Sequence, residues 1–336
     1  MDIGKLPPDT LTRLLARTRT DPTVLIGPAY GEDAAAVKFG GSVLLAAADP
    51  ITFATDHIGY YAVCVNANDI AVMGALPRYF LATVLLPQDS SESDAESVFD
   101  QIEQSCRAIG VTLIGGHTEI TPTVSRVVIS GCMLGEVDES GLVRSSGAEV
   151  GDAIVLAGGI AIEGTVILAR EASENLIVKG VSPDVIKSAV SYIDSPGICV
   201  LKYARIAVET GGVTAMHDPT EGGLASALRE IANASDCGLC IDRSAVPVLP
   251  ECAAICKALD IDPLGLIASG SLLITAHKNC ARQILNALSD DGIPAAVIGE
   301  VTDRKTGIRF SDGPNLPSFE RDEIARYFDM LKETDK

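Results

Sequence analysis

The segment Val63 to Ala75, VCVNANDIAVMGA, sets Asn66, Asn68 and Asp69 in a run that is otherwise apolar. Its length and composition predict a helix buried around most of its circumference. A carboxylate or amide buried there without partners costs several kcal/mol. The surrounding chain must therefore bring polar groups, or a polar ligand, to these side chains. Asn66 and Asp69 stand three residues apart and so share a helical face. Two uses fit that face: hydrogen bonds that fasten a neighbouring loop, or ligation. The acids just upstream favour ligation.

Those acids are Glu32 and Asp33, in the loop Gly31-Glu32-Asp33-Ala34-Ala35, and Asp49, at the end of an apolar strand over 43–48. Any one alone reads as a solvated turn residue. Between Gly27 and Pro87 the only bases are Lys38, Arg78 and His57. With Asp69, the acids therefore suit Mg²⁺, a hard cation that keeps oxygen ligands and bridges to phosphates. The formal charge of −19 and the lack of any Lys/Arg block argue against a nucleic-acid partner. They leave room for a nucleotide whose phosphates are screened by a cation.

With 336 residues, 47% hydrophobic and 21% charged, the chain has the size and composition for two globular domains. The opening MDIGKLPPDT has no signal-peptide pattern, and no apolar run reaches the ~18 residues of a membrane span. The expectation is a cytoplasmic protein without a membrane partner. Nine cysteines, an odd number, fit a reducing compartment. Cys237, Cys240, Cys252 and Cys256 invite a zinc reading, but their strand and helix patterns favour buried core residues.

Along the chain, a short helix runs from Pro7-Pro8-Asp9 to Arg17, and the buried helix stops at Gly74, before a strand over 79–86. Ser93 with Glu96 reads as a capping box for a helix whose Val98, Ile102 and Ile109 share a face, closed by Gly110. A strand over 111–114 runs into Gly115-Gly116-His117-Thr118-Glu119, where paired glycines let a backbone approach an anion. A β-rich run covers 125–137, and a polar, glycine-bearing stretch places the domain boundary at 148, giving domains 1–148 and 149–336. The second half opens with a strand over 153–157. Helices follow at 163–172, 182–192, 197–209, 221–233 and 277–289, and strands at 213–216, 271–276 and 294–300. Both halves read as α+β layers. Gly158 to Thr165 lies between a strand and a helix but matches neither a P-loop nor a Rossmann spacing. In His217-Asp218-Pro219-Thr220-Glu221-Gly222-Gly223-Leu224, Asp218 or Thr220 reads as the N-cap of the next helix. That helix start, beside Gly-Gly, is also a natural phosphate site.

The ordered set GEDAA (31–35), ADP (48–50), NANDIAVMGA (66–75), GGHTE (115–119) and HDPTEGGL (217–224) resembles the aminoimidazole-ribonucleotide synthetase superfamily. The likeness runs from about Gly27 to Glu300. It is nearest, through DPITFATD (49–56) and GIAIEGTVILA (159–169), to the hydrogenase-maturation branch, HypE, and to AIR synthase-related proteins. The resemblance implies a PurM-like two-domain fold: an N-terminal domain forming a dimeric β-barrel with a second subunit, and a C-terminal α+β sandwich domain. It implies ATP and Mg²⁺ as cofactors, with Asp33, Asp49 and Asp69 as metal ligands and Asp49 and Asp69 catalytic. Asn66, Asn68, Gly115, Gly116, His117 and Thr118 would border the nucleotide, and Asp218, Thr220, Glu221, Gly222 and Gly223 its phosphates.

The sequence departs from known members at their acceptor sites. In the HypE branch a terminal cysteine carries a carboxamide that ATP-dependent dehydration turns into a thiocyanate, whereas no cysteine follows Cys280 here. The Cys/Sec and Lys pair of selenophosphate synthetase is missing, and His117 stands where thiamine-monophosphate kinase has Asp. The expected function is phosphoryl transfer from ATP to an amide, carboxamide or phosphate oxygen of an unidentified small-molecule or protein-borne acceptor, by a homodimer. The alternative is a non-catalytic nucleotide-binding partner in a maturation or assembly pathway.

Overall fold

The structure, a computed structural model, describes residues 6, 8–19, 21–52 and 56–334. Pro7 of the first helix, residues 53–55 of the DPITFATD segment and the last two residues lie outside the described residues. The chain divides into two compact units. One holds 18–28 and 32–142; the other holds 143 onward, with the described residues up to Arg17 and residues 29–31. Helix α1 (Pro8–Leu15) belongs to the latter.

The first unit is a mixed sheet of seven strands: β1 (Val24–Ile26), β2 (Ala35–Phe39), β3 (Ser42–Ala47), β4 (Pro50–Ile51), β5 (Leu76–Leu86), β6 (Thr112–Ile120) and β7 (Val128–Val137). Their spatial order is β1-β2-β3-β7-β5-β6, with β4 also on β7. Two helices cover one face, α2 (Ile58–Val72) and α3 (Glu92–Ala108). Residues of β3 alternate between half-buried and buried, the period-two signature of a sheet packed on one side. Every residue of α2 except Tyr60 is buried, as an all-round apolar helix requires. It approaches the sheet over two glycines of β7. A Cβ on Gly131 would lie 2.5 Å from the Asn66 amide nitrogen, and one on Gly135 would lie 2.2 Å from Ile70.

Two expectations for this unit change. The capping box of α3 is Ser91 with Asp94: Ser91 Oγ accepts from Asp94 N at 3.2 Å, and Asp94 Oδ2 accepts from Ser91 N at 2.8 Å. Ser93 and Glu96 already lie inside the helix, because Ser91 is the last extended residue. The Gly-Gly-His-Thr-Glu segment is not a loop but the body of β6, paired in parallel with β5 so that Thr83 faces His117. Gly116, at φ 147°, brings its Cα so close to the Ala82 carbonyl that a Cβ would lie 1.9 Å from the oxygen. The glycine thus serves strand contact rather than a turn. The sheet is open within one chain, with β1 and β6 at its edges among the described residues.

The second unit has a six-stranded sheet in the order β13-β10-β12-β8-β11-β9. Its strands are β8 (Ala153–Ala157), β9 (Val213–His217), β10 (Gly238–Ile241), β11 (Leu272–Ala276), β12 (Ala295–Thr302) and β13 (Ile308–Phe310). The helices are α4 (Ile162–Glu171), α5 (Ser173–Val178), α6 (Pro183–Val190), α7 (Leu201–Thr210), α8 (Gly223–Ala234), α9 (Pro250–Leu259), α10 (Ala281–Asp290) and α11 (Glu323–Thr334). β8 and β11 are buried at every residue, as strands at the centre of a layered sheet must be. Ile154, Leu156 and Leu273 pack with Leu228 and Ile231 of α8. A second core joins α4, α5, α6, α9 and α11 through Leu168, Leu176, Ile186, Ile255 and Tyr327. Helices α5 and α11 and strand β13 are additions to the elements read from sequence. Among the described residues no helix is long and apolar enough to cross a membrane.

Candidate functional site

Asp49 sits in the link between β3 and β4, half-buried, and is held there by Asn66 of α2. The Asn66 Oδ1 accepts from Asp49 N at 2.9 Å, and its Nδ2 donates to Asp49 O at 3.2 Å and to Ala62 O at 2.9 Å. The far side of Asp49 O accepts from Gly131 N at 3.0 Å. Both amide hydrogens of Asn66 are thereby used. Of the two uses the sequence leaves open for Asn66, fastening a loop is the one seen. The loop it fastens is the one that carries a candidate ligand.

Asn68 and Asp69 are buried on the same helix, and Asp33 is half-buried ahead of β2. Among the described residues Asp33, Asp49 and Asp69 do not gather their oxygens within 4.8 Å of one another. Their donor atoms are all oxygens, the ligand type that Mg²⁺ takes together with water and phosphate. Gly115, Gly116, His117 and Thr118 lie exposed on the edge strand β6, where His117 Nε2 is 3.2 Å from Glu119 Oε2.

In the second unit β9 ends at His217, and Asp218 to Gly222 turns into α8. Asp218 is buried, and the His217 Nε2 lies 2.8 Å from Glu230 Oε2 of α8, which fixes the ring against the helix. Thr220 O accepts from Gly223 N at 3.0 Å and from Ala268 N at 3.2 Å. The N-cap of α8 is neither Asp218 nor Thr220 but Gly222, whose φ of 77° gives the left-handed step into the helix. Its N–H is taken by another element: Asp322 Oδ2, just before α11, accepts it at 2.7 Å. The donor that the sequence assigns to a phosphate is occupied by a carboxylate of the same chain.

Two acids absent from the sequence reading stand beside this turn. Glu163, in the first turn of α4, is buried, and desolvation pushes its carboxyl up to about 7; a hydrogen bond from Ser269 opposes the shift, and the charges of Asp322 and Glu221 add to it. Burial also raises Asp322, to about 6, against N–H donors from Ile324, Gly222 and Ile267 and with Glu221 adding to the rise. A lone acid in the apolar run GIAIEGTVIL carried the same signal as Asp69. The four cysteines weighed for zinc do not form a cluster with metal-ligand spacing among the described residues. Cys252 and Cys256 are buried neighbours on α9 with sulfurs 3.9 Å apart.

Comparison with known proteins fits this layout. Residues 31–137 match the N-terminal domain of AIR synthase related proteins, and 149–311 match the C-terminal domain. A putative hydrogenase expression/formation protein of Methanocaldococcus jannaschii is 30% identical over 284 residues, 82% of this chain and 81% of the relative. The carbamoyl dehydratase HypE of Escherichia coli K12 is 30% identical over 267 residues, 78% of this chain and 75% of the relative. A crystal structure of the hydrogenase maturation protein HypE in complex with ATP superposes with a TM-score of 0.71 at 25% identity, covering 94% of this chain and 91% of that one. With both of its domains matched in order and its motifs set on the PurM-like framework, the chain belongs to the AIR synthase related protein family.

Proposed function

We propose that this chain is an ATP- and Mg²⁺-dependent enzyme that transfers the γ-phosphoryl group of ATP to an amide, carboxamide or phosphate oxygen of a small or protein-borne substrate. The observation that carries the reading is the Asn66 clasp. A fully buried amide spends its hydrogen bonds on presenting Asp49 beside the helix that bears Asp69. Relatives named carbamoyl dehydratase, and one solved with ATP, support it.

In the transfer, the bond from the γ-phosphorus to the bridging oxygen of ADP breaks as one to the substrate oxygen forms, leaving ADP and a phosphorylated, activated substrate. Mg²⁺, when bound, would supply charge neutralisation to the phosphates. Asp33, Asp49 and Asp69 would hold the ion, with Asn66 fixing the Asp49 backbone against drift. Asn68, Gly115, Gly116, His117 and Thr118 would border the nucleotide. Asp218, Thr220, Glu221, Gly222 and Gly223 would form a turn for an anionic group. The proteins of this kind contribute mainly position and electrostatics to phosphoryl transfer.

The same reading makes the protein a homodimer. The edge strand β6 is open along its length, and Ile114 and Ile120 on it are 51% and 58% exposed. Such an edge is a template for pairing with another chain. The occupied Gly222 N–H favours a second reading, a partner that holds nucleotide without turning it over. Release of ADP by the purified protein, alone and with a small-molecule extract, separates the two.

The deciding test is calorimetric titration with a non-hydrolysable ATP analogue, with and without Mg²⁺. Binding should require Mg²⁺ and weaken by roughly tenfold or more in Asp69→Asn, the size of one lost charge-assisted contact. Binding indifferent to both would remove these acids from the site.

A further inference from the structure

The carboxylate on the Gly222 N–H belongs to a segment that is tied down on both sides. Ahead of it, Arg229 of α8 donates from Nη2 to Leu316 O at 2.6 Å and to Pro317 O at 2.9 Å. The Phe319 ring then packs over Gly265, where any side chain would collide with it. After it, Arg326 donates to Asp260 O at 2.8 Å, and Tyr327 Oη accepts from Asn175 Nδ2 at 2.7 Å within the core. Asp322 lies between these anchors. One oxygen caps its own helix by accepting from Ile324 N at 2.9 Å, the other accepts from Gly222 N at 2.7 Å, and the Ile267 N–H also donates to the carboxylate.

The second contact is not what a cap needs. The cap on Ile324 is complete with one oxygen. The other oxygen instead reaches the N-terminus of a different helix, α8, at the place where a positive backbone field and an outward N–H would draw a phosphate oxygen. The surroundings make this an expensive position for a negative charge. Glu221 lies beside it in the same turn, Glu163 of α4 is close enough to feel its charge, and the group is withdrawn from water. A carboxylate kept in such company is poised to give way to a competitor bearing a cation of its own.

We propose that Asp322 is a built-in anion that occupies the phosphate seat at the N-terminus of α8, so that nucleotide binding must displace its carboxylate from Gly222. The inference rests on the reading of the Thr220–Gly223 turn as a phosphate contact. Displacement is a rotation of one side chain that gives up the Gly222 and Ile267 donors, while the anchors on either side keep the segment in place. The contact sets the affinity of the nucleotide and leaves the resting protein with a filled seat.

The test titrates the Mg²⁺ complex of a non-hydrolysable ATP analogue into wild type, Asp322→Asn and Asp322→Ala, and follows amide hydrogen exchange in each. Asn keeps the cap and an acceptor while losing the charge, so a folded protein is retained even if Ala loosens α11. Both variants should bind the analogue more tightly, Ala by roughly tenfold or more, the worth of a displaced charge-assisted hydrogen bond. The Gly222 amide should exchange faster in Asp322→Ala without ligand. In wild type the analogue should protect the Gly222 amide while raising exchange around Asp322. A purely structural cap would lower stability and leave affinity unchanged or weaker. That outcome, with wild type still binding, would overturn the proposal and leave the nucleotide reading standing. If neither wild type nor variants bind the analogue, the turn is not a phosphate seat, and both fall together.

Discussion

Gly131 is the residue on which the Asn66 clasp depends, because its missing side chain is the space the amide fills. Alanine there would meet both the Asn66 amide and the Phe80 ring, each under 3 Å from the new carbon. Gly131→Ala should therefore cost about 1–3 kcal/mol from overpacking, and more where the buried amide loses its partners. Chemical denaturation checks this. Combined with Asn66→Ala, the loss should be less than the sum of the two, since the collision with the amide is then removed and only that with Phe80 remains. Glu163 gives a prediction of a different sign. Its carboxyl is raised from 4.5 to about 7, so the folded state holds the proton more tightly than the unfolded chain. Its contribution to stability is full below pH 4.5 and is lost as pH rises through about 7. Glu163→Gln should flatten that part of the stability profile and leave the variant the more stable protein at pH 8, by on the order of a few kcal/mol. A variant whose thermal-melt profile keeps the wild-type slope would show that Glu163 is not the titrating group. Glu163 was legible in principle, by the logic that finds Asp69, but the glycines around it draw the eye to the backbone. Asp322 was not: its partner Gly222 lies 100 residues away, and nothing local to either residue marks the pair.

At the scale of elements, periodicity reads well where an element packs on one side and fails where long-range pairing decides. The apolar strand over 43–48 becomes β3, and the apolar run over 63–75 falls in α2, which ends at Val72 as expected but already begins at Ile58. The pair Gly115-Gly116 reads as a break, yet β6 continues through it. There the parallel ladder with β5 outweighs the low strand propensity of glycine, and close approach to Ala82 makes glycine the residue required. Gly116→Ala should unzip β6 from β5 while leaving β7 paired. Hydrogen exchange would show rapid labelling of 112–120 with 128–137 still protected. At the other end of the crossover, Ser91→Ala should cost about 1 kcal/mol of α3 stability, whereas Ser93→Ala should cost little, since Ser91 is the cap.

At the scale of the whole molecule, composition and motif order placed the two-domain framework correctly. They could not show that the first unit's sheet ends in an open edge. That property emerges only when seven strands from three stretches of chain are laid side by side. If the edge pairs with a second copy, Ile114→Lys with Ile120→Lys should shift the protein from dimer to monomer in analytical ultracentrifugation. A protein monomeric before the change would instead leave the edge to some other cover. The buried helix α2 has a consequence for how the chain is made. Its residues end at Val72, but the strand with the two glycines it packs over begins at Val128, 56 residues later (128 − 72). At about 5–20 residues per second on the ribosome, the most apolar helix of the first unit waits several seconds for its cover. During synthesis, then, the segment that carries the candidate ligands is also the stretch most in need of a chaperone.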